Sequence, residues 1–430
     1  MANNKRVSLN LNVRGIGKSP TLAINELSKQ LEHEGRHIYR MGLGQSPFPV
    51  PLPVVETLRN HAHEKDYLNV NGLENLREAV AHFHHTKDNV DIQARNVLIG
   101  PGSKELMFLL QLVYYGEIIL PTPCWVSYAP QAKIIGRNIK YIHTSYENNW
   151  DLTPDQLEAF LDTEHDQYKP RVLVLNYPSN PCGISHSVHD LKAIANIARK
   201  YEMIVLSDEI YGQLHFKGQH VSIARYYPEG TIISSGLSKW CGAGGWRLGT
   251  FAFPDAFDWL MEPMAAVASE TYTSVSAPIQ YAAVTAFMGG IVIERYLWHV
   301  RRILSHLGTS CTEILRQAGL RVKMPDGAFY LFLDFSPCSE KLRQKGVTDS
   351  TTLCEKLLEQ AGVAILPGVA FLRPPAELTA RLAYVNFDGS QALAKSETIP
   401  LNGAIPTDMH ESCCDPVFNA VNKIAEWVND

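Results

Sequence analysis

The sequence predicts an α/β protein: a mostly parallel sheet covered by helices, with a smaller α+β unit beside it. Three observations point there. Through the middle of the chain, apolar strand-like runs alternate with helical periodicity, as in strand–helix–strand units whose parallel strands are buried on both faces. After about Ile293 the strands become fewer and further apart. A length of 430 residues is too great for one core, so two domains are expected.

The elements follow in order. Residues 96–99 read as a strand ending at Gly100-Pro101-Gly102, and 104–114 as the next helix. Residues 117–120 form a second strand, stopped by Pro121 and Pro123. The run 171–175 suits a strand buried on both faces. Ser187 and Asp190 form a capping pair before Leu191, Ile194, Ala195 and Ala198, which recur at helical spacing. Residues 202–206 and 231–233 are two more strands. Further on, Tyr296, Val300, Ile303, Leu304 and Leu307 mark a long helix leading to strands at 329–333, 363–366 and 382–385. The stretch 389–415, rich in Ser, Thr, Pro and Gly, reads as a surface loop before a last helix at 417–428.

Composition narrows the class. Apolar residues make up 45% and charged residues 19% of the chain, a globular balance. A formal net charge of −5 disfavours a nucleic-acid partner. The first 19 residues lack the apolar core of a secretory signal. The apolar stretch around 106–120 is interrupted by Gln111, Gly116 and Glu117, so no membrane span is expected. Eight cysteines without a repeating spacing suit a reducing, cytoplasmic setting.

The most informative segment runs from Ser234 to Gly249. Lys239 follows the small residues Ser234, Ser235, Gly236 and Ser238, and Arg247 comes eight residues later among glycines. A lysine forms a Schiff base only while its amine is neutral, which calls for a shielded or cation-rich site. An arginine grips phosphate with its planar fork. Pyridoxal phosphate is a carbonyl compound that such a pair would hold at both ends. Other segments supply the remaining needs of that cofactor. Asp208, closing a strand, would keep the pyridine nitrogen protonated. Tyr211 and Asn180 would donate to its phenolic oxygen. Gly102-Ser103-Lys104 opens a helix whose free N–H groups suit phosphate. Trp125 offers a stacking face, and Arg381 precedes a strand as a clamp for a substrate carboxylate. Singly, each has a plainer reading: Trp125 as a core aromatic, Asp208 as a strand-end turn, Arg381 as a surface ion pair. In order and on strand ends, they outweigh those readings together.

The chain resembles the pyridoxal-phosphate enzymes of the aspartate aminotransferase fold (fold type I), the class I/II aminotransferase family. The resemblance covers about residues 40–390. Its motifs are Gly44-Gln45-Ser46-Pro47-Phe48-Pro49; Tyr67 with Gly72, Leu76 and Arg77; Asn176 to Gly183; Asp208-Glu209-Ile210-Tyr211; Ser238-Lys239 through Arg247-Leu248-Gly249; Asp326-Gly327-Ala328-Phe329-Tyr330; Pro367-Gly368-Val369-Ala370-Phe371; and Arg381-Leu382. It implies a seven-stranded large domain at 55–295 and a small domain built from 1–54 and 296–430. Lys239 is implied as the Schiff-base lysine, Asp208 as partner of the ring nitrogen, and Tyr211 and Asn180 as contacts of the phenolic oxygen. Trp125 is implied to stack on the ring, with Gly102, Ser103, Lys104, Ser238 and Arg247 around the phosphate. Arg381, with Asn180 and the Gly44 backbone, is implied to bind the substrate. Tyr67's counterpart reaches the phosphate of the neighbouring subunit, which implies a homodimer with shared active sites.

Two departures stand out: Gly236, where many relatives carry a phosphate-binding serine, and Cys182, where threonine is usual. The expected activity is a transaminase moving an amino group from an L-amino acid to a 2-oxo acid. Lys104 tilts the substrate towards aspartate or glutamate; Tyr272 and neighbouring aromatics would suit aromatic or neutral side chains instead. A lyase or decarboxylase on the same scaffold is an alternative. A ligand-sensing regulator is disfavoured because no basic recognition helix is visible. Two lures are set aside. Gly15-Ile16-Gly17-Lys18-Ser19 lacks the first glycine and the strand of a P-loop. His82, His84 and His85 read as a solvated helix face, so no metal is expected.

Overall fold

The computed structural model describes residues 10–14, 17, 20–164, 166, 169–400, 403, 405 and 413–430. The P-loop-like segment lies, apart from Gly17, outside them. Thirteen strands are present among the described residues: β1 Tyr39–Arg40, β2 Val97–Gly100, β3 Glu117–Thr122, β4 Ile139–His143, β5 Arg171–Asn176, β6 Ile204–Asp208, β7 Thr231–Gly236, β8 Gly249–Ala252, β9 Arg321–Val322, β10 Tyr330–Asp334, β11 Val363–Ala364, β12 Leu366–Pro367 and β13 Thr379–Ala383. Seven of them form one sheet in the order β2-β8-β7-β6-β5-β3-β4. Strands β3 to β7 pair in parallel, and β8 runs antiparallel to both of its neighbours. A four-stranded antiparallel sheet, β12-β13-β10-β9, and the parallel pair β1-β11 lie apart from it.

Alternation explains why the central strands read as unbroken apolar runs. Val172 and Val174 of β5 pack into one core with Ile204 and Leu206 of β6. Leu173 and Leu175 point the other way, into a core with Val205. Helices cover both faces. Val188–Lys200 starts where Ser187 accepts the N–H of Asp190, as its sequence signal indicates. The 27-residue helix Ile291–Gln317 carries its apolar face into a third core shared with β10, β13 and the last helix, Asp415–Asn429.

The structure corrects the sequence reading in several places. Strand β3 runs on through Pro121 to Thr122; its ladder with β5 ends at Ile119, so Pro121 lies beyond it. Strands β4 and β8 have no counterpart in that reading. Part of the supposed surface loop is a helix, Gly389–Thr398. Asp388 caps it by accepting the N–H groups of Ser390 and Gln391. Ala392 and Ser396 are buried, and Ser396 shares a 2.9 Å hydrogen bond with His299 Nδ1. His84 is buried rather than solvated. The helix Glu74–Phe83 gives way to a wider turn over His84–Asp88, which pairs His84 Nδ1 with Asp88 Oδ2 at 2.7 Å. His82 and His85 are exposed. None of the eight cysteines is in a disulfide, and no single helix among the described residues is long and apolar enough to cross a membrane.

One side chain ties the two sheets together. Arg373 is buried; its Nη1 donates to the carbonyls of Thr122 and Thr144, both at 2.9 Å, while Glu377 takes Nε and Nη2 at 2.8 Å. Beside it, the Cys124 N–H donates to the Phe371 carbonyl at 3.2 Å.

Candidate active site

The carboxyl ends of β5, β6 and β7 bring Asn176, Asp208 and Ser234 into register. Ligands of such sheets sit just beyond these ends. Asp208 is buried there. Its Oδ2 accepts a 2.6 Å hydrogen bond from the Tyr128 hydroxyl, while Oδ1 has no partner among the described residues. Burial pushes its carboxyl up to about 6 against the pull of Tyr128 and of the Ile210 N–H.

Lys239 lies near enough for its charge and that of Asp208 to act on each other. Its Nζ donates to the Gly44 carbonyl at 2.8 Å and lies 5.7 Å and 5.9 Å from the rings of Tyr211 and Phe329. Burial, then the charge of Arg381, pulls the amine down to about 8, although Asp208 opposes this. Arg247 and Lys104 act in the same direction as Arg381. The lysine therefore has a lowered basicity.

The other predicted residues sort into two groups around this pair. On one side Arg381, buried at the centre of β13, donates from Nη1 to Asn180 Oδ1 at 2.9 Å and from Nη2 to the Gly42 carbonyl at 2.6 Å. Its guanidinium lies 4.6 Å from the ring of Tyr330 and 5.0 Å from that of Phe371, and its buried Nε has no partner among the described residues. Asn180 is in turn fixed by its own N–H, which donates to Asn176 Oδ1 at 2.7 Å.

On the other side Gly102, at φ +94°, caps the helix Ser103–Val113. A Cβ on Gly102 would stand 2.2 Å from Arg247 Nη2, and one on Gly249 would stand 2.1 Å from the Ser103 nitrogen. Glycine at both places lets the arginine and β8 close over the start of the helix. Arg247 holds a left-handed backbone conformation and is braced by the Gly244 carbonyl at 2.8 Å. Lys104 Nζ lies 4.9 Å from the ring of Trp125, and burial and Arg247 both lower its amine. Cations at a helix N-terminus make an anion site. Ser238 is half-buried beside Gly244.

Tyr67 is not brought to this cluster; it is 89% exposed. At Gly236 a side chain is excluded by sterics. Gly236 pairs with Gly249, and a Cβ there would meet the Leu248 carbonyl at 2.7 Å. Cys182 is buried beside Ile184 and Phe332. Tyr272 is half-buried, its hydroxyl 3.4 Å from the Ile99 carbonyl.

Two residues were not singled out by the sequence reading as part of the site. Tyr128, three residues past Trp125, holds Asp208. Tyr330 lies within a recognised motif, and its hydroxyl stands 2.8 Å from that of Tyr211. Only the motif around Tyr330 offered a signal in advance.

A sheet of this topology, with a lysine and a carboxylate meeting beyond its strand ends, is the fold of the aspartate aminotransferases. The profile of the family described as aminotransferase class I and II matches residues 37–385, and the chain belongs to that family. The chain is 32% identical over 380 residues to the asparagine–oxo-acid transaminase of Streptococcus mutans, covering 85% of this chain and 92% of that protein. It is 30% identical over 383 residues to the aspartate aminotransferase of Bacillus subtilis, covering 86% and 93%. The structure of aspartate aminotransferase from Thermus thermophilus with maleate matches at a TM-score of 0.80 and 27% identity, over 91% of this chain and 98% of that one. The protein is a transaminase acting between an amino acid and a 2-oxo acid.

Proposed function

We propose that this transaminase uses pyridoxal phosphate attached through Lys239, with aspartate or glutamate as its amino donor. The observation that carries the cofactor assignment is the buried, unpartnered Oδ1 of Asp208 opposite the amine of Lys239. A buried acceptor without a partner calls for a donor from a ligand. A protonated ring nitrogen is such a donor, and the charge then favours the ionised form of Asp208. The anion site at Gly102, Ser103, Lys104, Ser238 and Arg247 suits the phosphate, and Trp125 suits the ring face. Tyr211 and Asn180 suit the phenolic oxygen. When bound, the cofactor supplies a carbonyl that captures an amine and a ring that draws electrons from Cα.

The chain's own residues do the rest. Arg381 grips the α-carboxylate by its planar fork, with Asn180 and the Gly42 carbonyl fixing its plane. This orientation presents the Cα–H bond to Lys239. With its amine near 8, Lys239 is close enough to neutral pH to take up the Cα proton and give it back. Lys104, at the edge of the anion site, suits a second substrate carboxylate. The dicarboxylate maleate in the Thermus relative's structure supports that reading. An aromatic substrate is the second reading. It rests on Tyr272 and on the 25% identical aromatic aminotransferase from Pyrococcus horikoshii, which matches at a TM-score of 0.76.

We also propose a cytoplasmic homodimer in which the exposed Tyr67 serves the partner's site. In each subunit, residues 55–295 would form the large domain, and 1–54 with 296–430 the small one. The test is a panel of amino acids mixed singly with the loaded enzyme and scored by loss of the cofactor's visible colour. Aspartate and glutamate are expected to bleach one equivalent and stop. Continuous product formation without an oxo acid would identify a lyase, and bleaching by aromatic amino acids alone would favour the second reading.

A further inference from the structure

We propose that Tyr330 is a positioning residue that fixes the direction of the Tyr211 hydroxyl, holding its proton ready for the ligand. The inference rests on the reading that Tyr211 serves the cofactor's phenolic oxygen, and it extends that reading to a residue with no role so far.

The two hydroxyls lie 2.8 Å apart, both buried, and among the described residues neither has another partner. One shared bond holds one proton. The donor uses its own there, and the acceptor keeps its own for a third group. The direction of this bond therefore decides whether Tyr211 can donate to anything else. Tyr330 is the better donor of the two because the Arg381 guanidinium lies 4.6 Å from its ring, and a cation against a phenol favours release of its proton. Burial raises both phenols, but Arg381 counters it more directly at Tyr330. The other charged or titratable groups facing the pair are Lys239, 5.7 Å from the Tyr211 ring, Asp208 beside Tyr211, and Tyr384 behind Tyr330.

Gly44 makes room for this arrangement. A Cβ at that position would stand 2.0 Å from the Tyr330 hydroxyl. The same glycine's carbonyl receives the Lys239 amine. Arg381, Tyr330 and Tyr211 thus form a line from the carboxylate grip to the ring site. Anchoring of the substrate at one end and donation to the ring at the other share a single hydroxyl.

The experiment compares wild type, Tyr330→Phe, Tyr211→Phe and the double variant, each loaded with pyridoxal phosphate. The readout is the pH midpoint of the bound cofactor's visible absorption, with folding checked by circular dichroism. A hydroxyl donating to a phenolate makes the neighbouring nitrogen less basic, so loss of that donation raises the midpoint. Tyr211→Phe is expected to raise it most. Tyr330→Phe is expected to raise it by roughly a few tenths of a pH unit, because Tyr211 keeps its proton but loses the bond that aims and polarises its hydroxyl. The double variant is expected to match Tyr211→Phe alone, because Tyr330 acts only through Tyr211. In steady state, Tyr330→Phe should lower kcat several-fold with KM for the amino acid within about twofold, since the ring against Arg381 remains. A midpoint unmoved in Tyr330→Phe but moved in Tyr211→Phe would overturn the inference and leave the cofactor reading intact. A midpoint unmoved in Tyr211→Phe would overturn the role of Tyr211 itself, and the inference with it.

Discussion

Asp208 and Glu209 are consecutive acids, both buried, yet the structure treats them oppositely. Alternation at the end of β6 sends their side chains to different sides. Asp208 meets one hydroxyl and keeps an oxygen unpartnered, and burial raises its carboxyl to about 6. Glu209 accepts from Ser207 at 2.7 Å, Ser222 at 2.6 Å and Tyr177 at 3.4 Å, and shares a 2.8 Å bond with His220. Burial raises that carboxyl too, but His220 and the hydroxyls prevail and hold it below the ordinary value. The ligating atoms of Asp88, Glu209 and His220 lie within 4.8 Å of one another, but Glu209 and His220 are already engaged with each other. A satisfied acid holds a fold together; an unsatisfied one waits for a ligand.

The largest test of that contrast is on the open side. Lys239→Ala should lower kcat by more than roughly a thousandfold, since it removes the group proposed to move the proton. Equilibrium dialysis should still find cofactor bound at the anion site. Arg381→Ala should cost roughly a hundredfold in kcat/KM, mostly through KM, by removing a charged two-pronged contact. Unchanged kinetics would place the carboxylate elsewhere.

The two acids can then be compared directly in the cofactor-free protein. Asp208 has a folded value near 6, above the ordinary 3.8. The folded state therefore holds the extra proton between those values. Stability from this group is complete below about 3.8 and is lost as the pH rises through about 6. Against an Asp208→Asn variant, the wild type should lose about 2–3 kcal/mol between pH 4 and pH 7. Glu209→Gln should instead destabilise by about 3 kcal/mol at pH 7, because His220 loses its buried partner. Urea melts at both pH values give these differences. If both variants shifted in the same direction at pH 7, the contrast would fail. The smallest effect expected is at the site's edge. Lys104→Met should lower kcat/KM for aspartate by roughly tenfold while sparing neutral amino acids.

Much of this was legible in the sequence because parallel strands buried on both faces leave continuous apolar runs, and because glycines needed for close approach stand at fixed distances from Lys239. What escaped has physical reasons. Strand β4 is an edge strand with Lys140, Tyr141 and His143 at least partly exposed, so it lacks an apolar run. Strand β8 is four residues long and follows a glycine cluster that reads as a turn. The helix Gly389–Thr398 has the composition of a loop; its order comes from the Asp388 cap and from His299, 97 residues away from Ser396. Tyr128 could not be assigned because its role depends on a residue 80 positions further on. Spacing pointed to residues that the fold gathers beyond the strand ends, but not to Tyr128, which bonds one of them.

Arg373 carries a mechanical consequence. The turn behind Phe371 is pinned to the strand end that leads to Trp125, so these two segments travel as one piece. Swinging that margin outward would cost the bonds to Thr122 and Thr144 together with the one at Cys124. The opposite rim, at Gly42–Gly44, is latched to the site side chains by Arg381 and Lys239. That rim hangs on bonds from the two side chains to which the proposed function gives ligands, whereas the Arg373 side is held by bonds that no ligand would compete for.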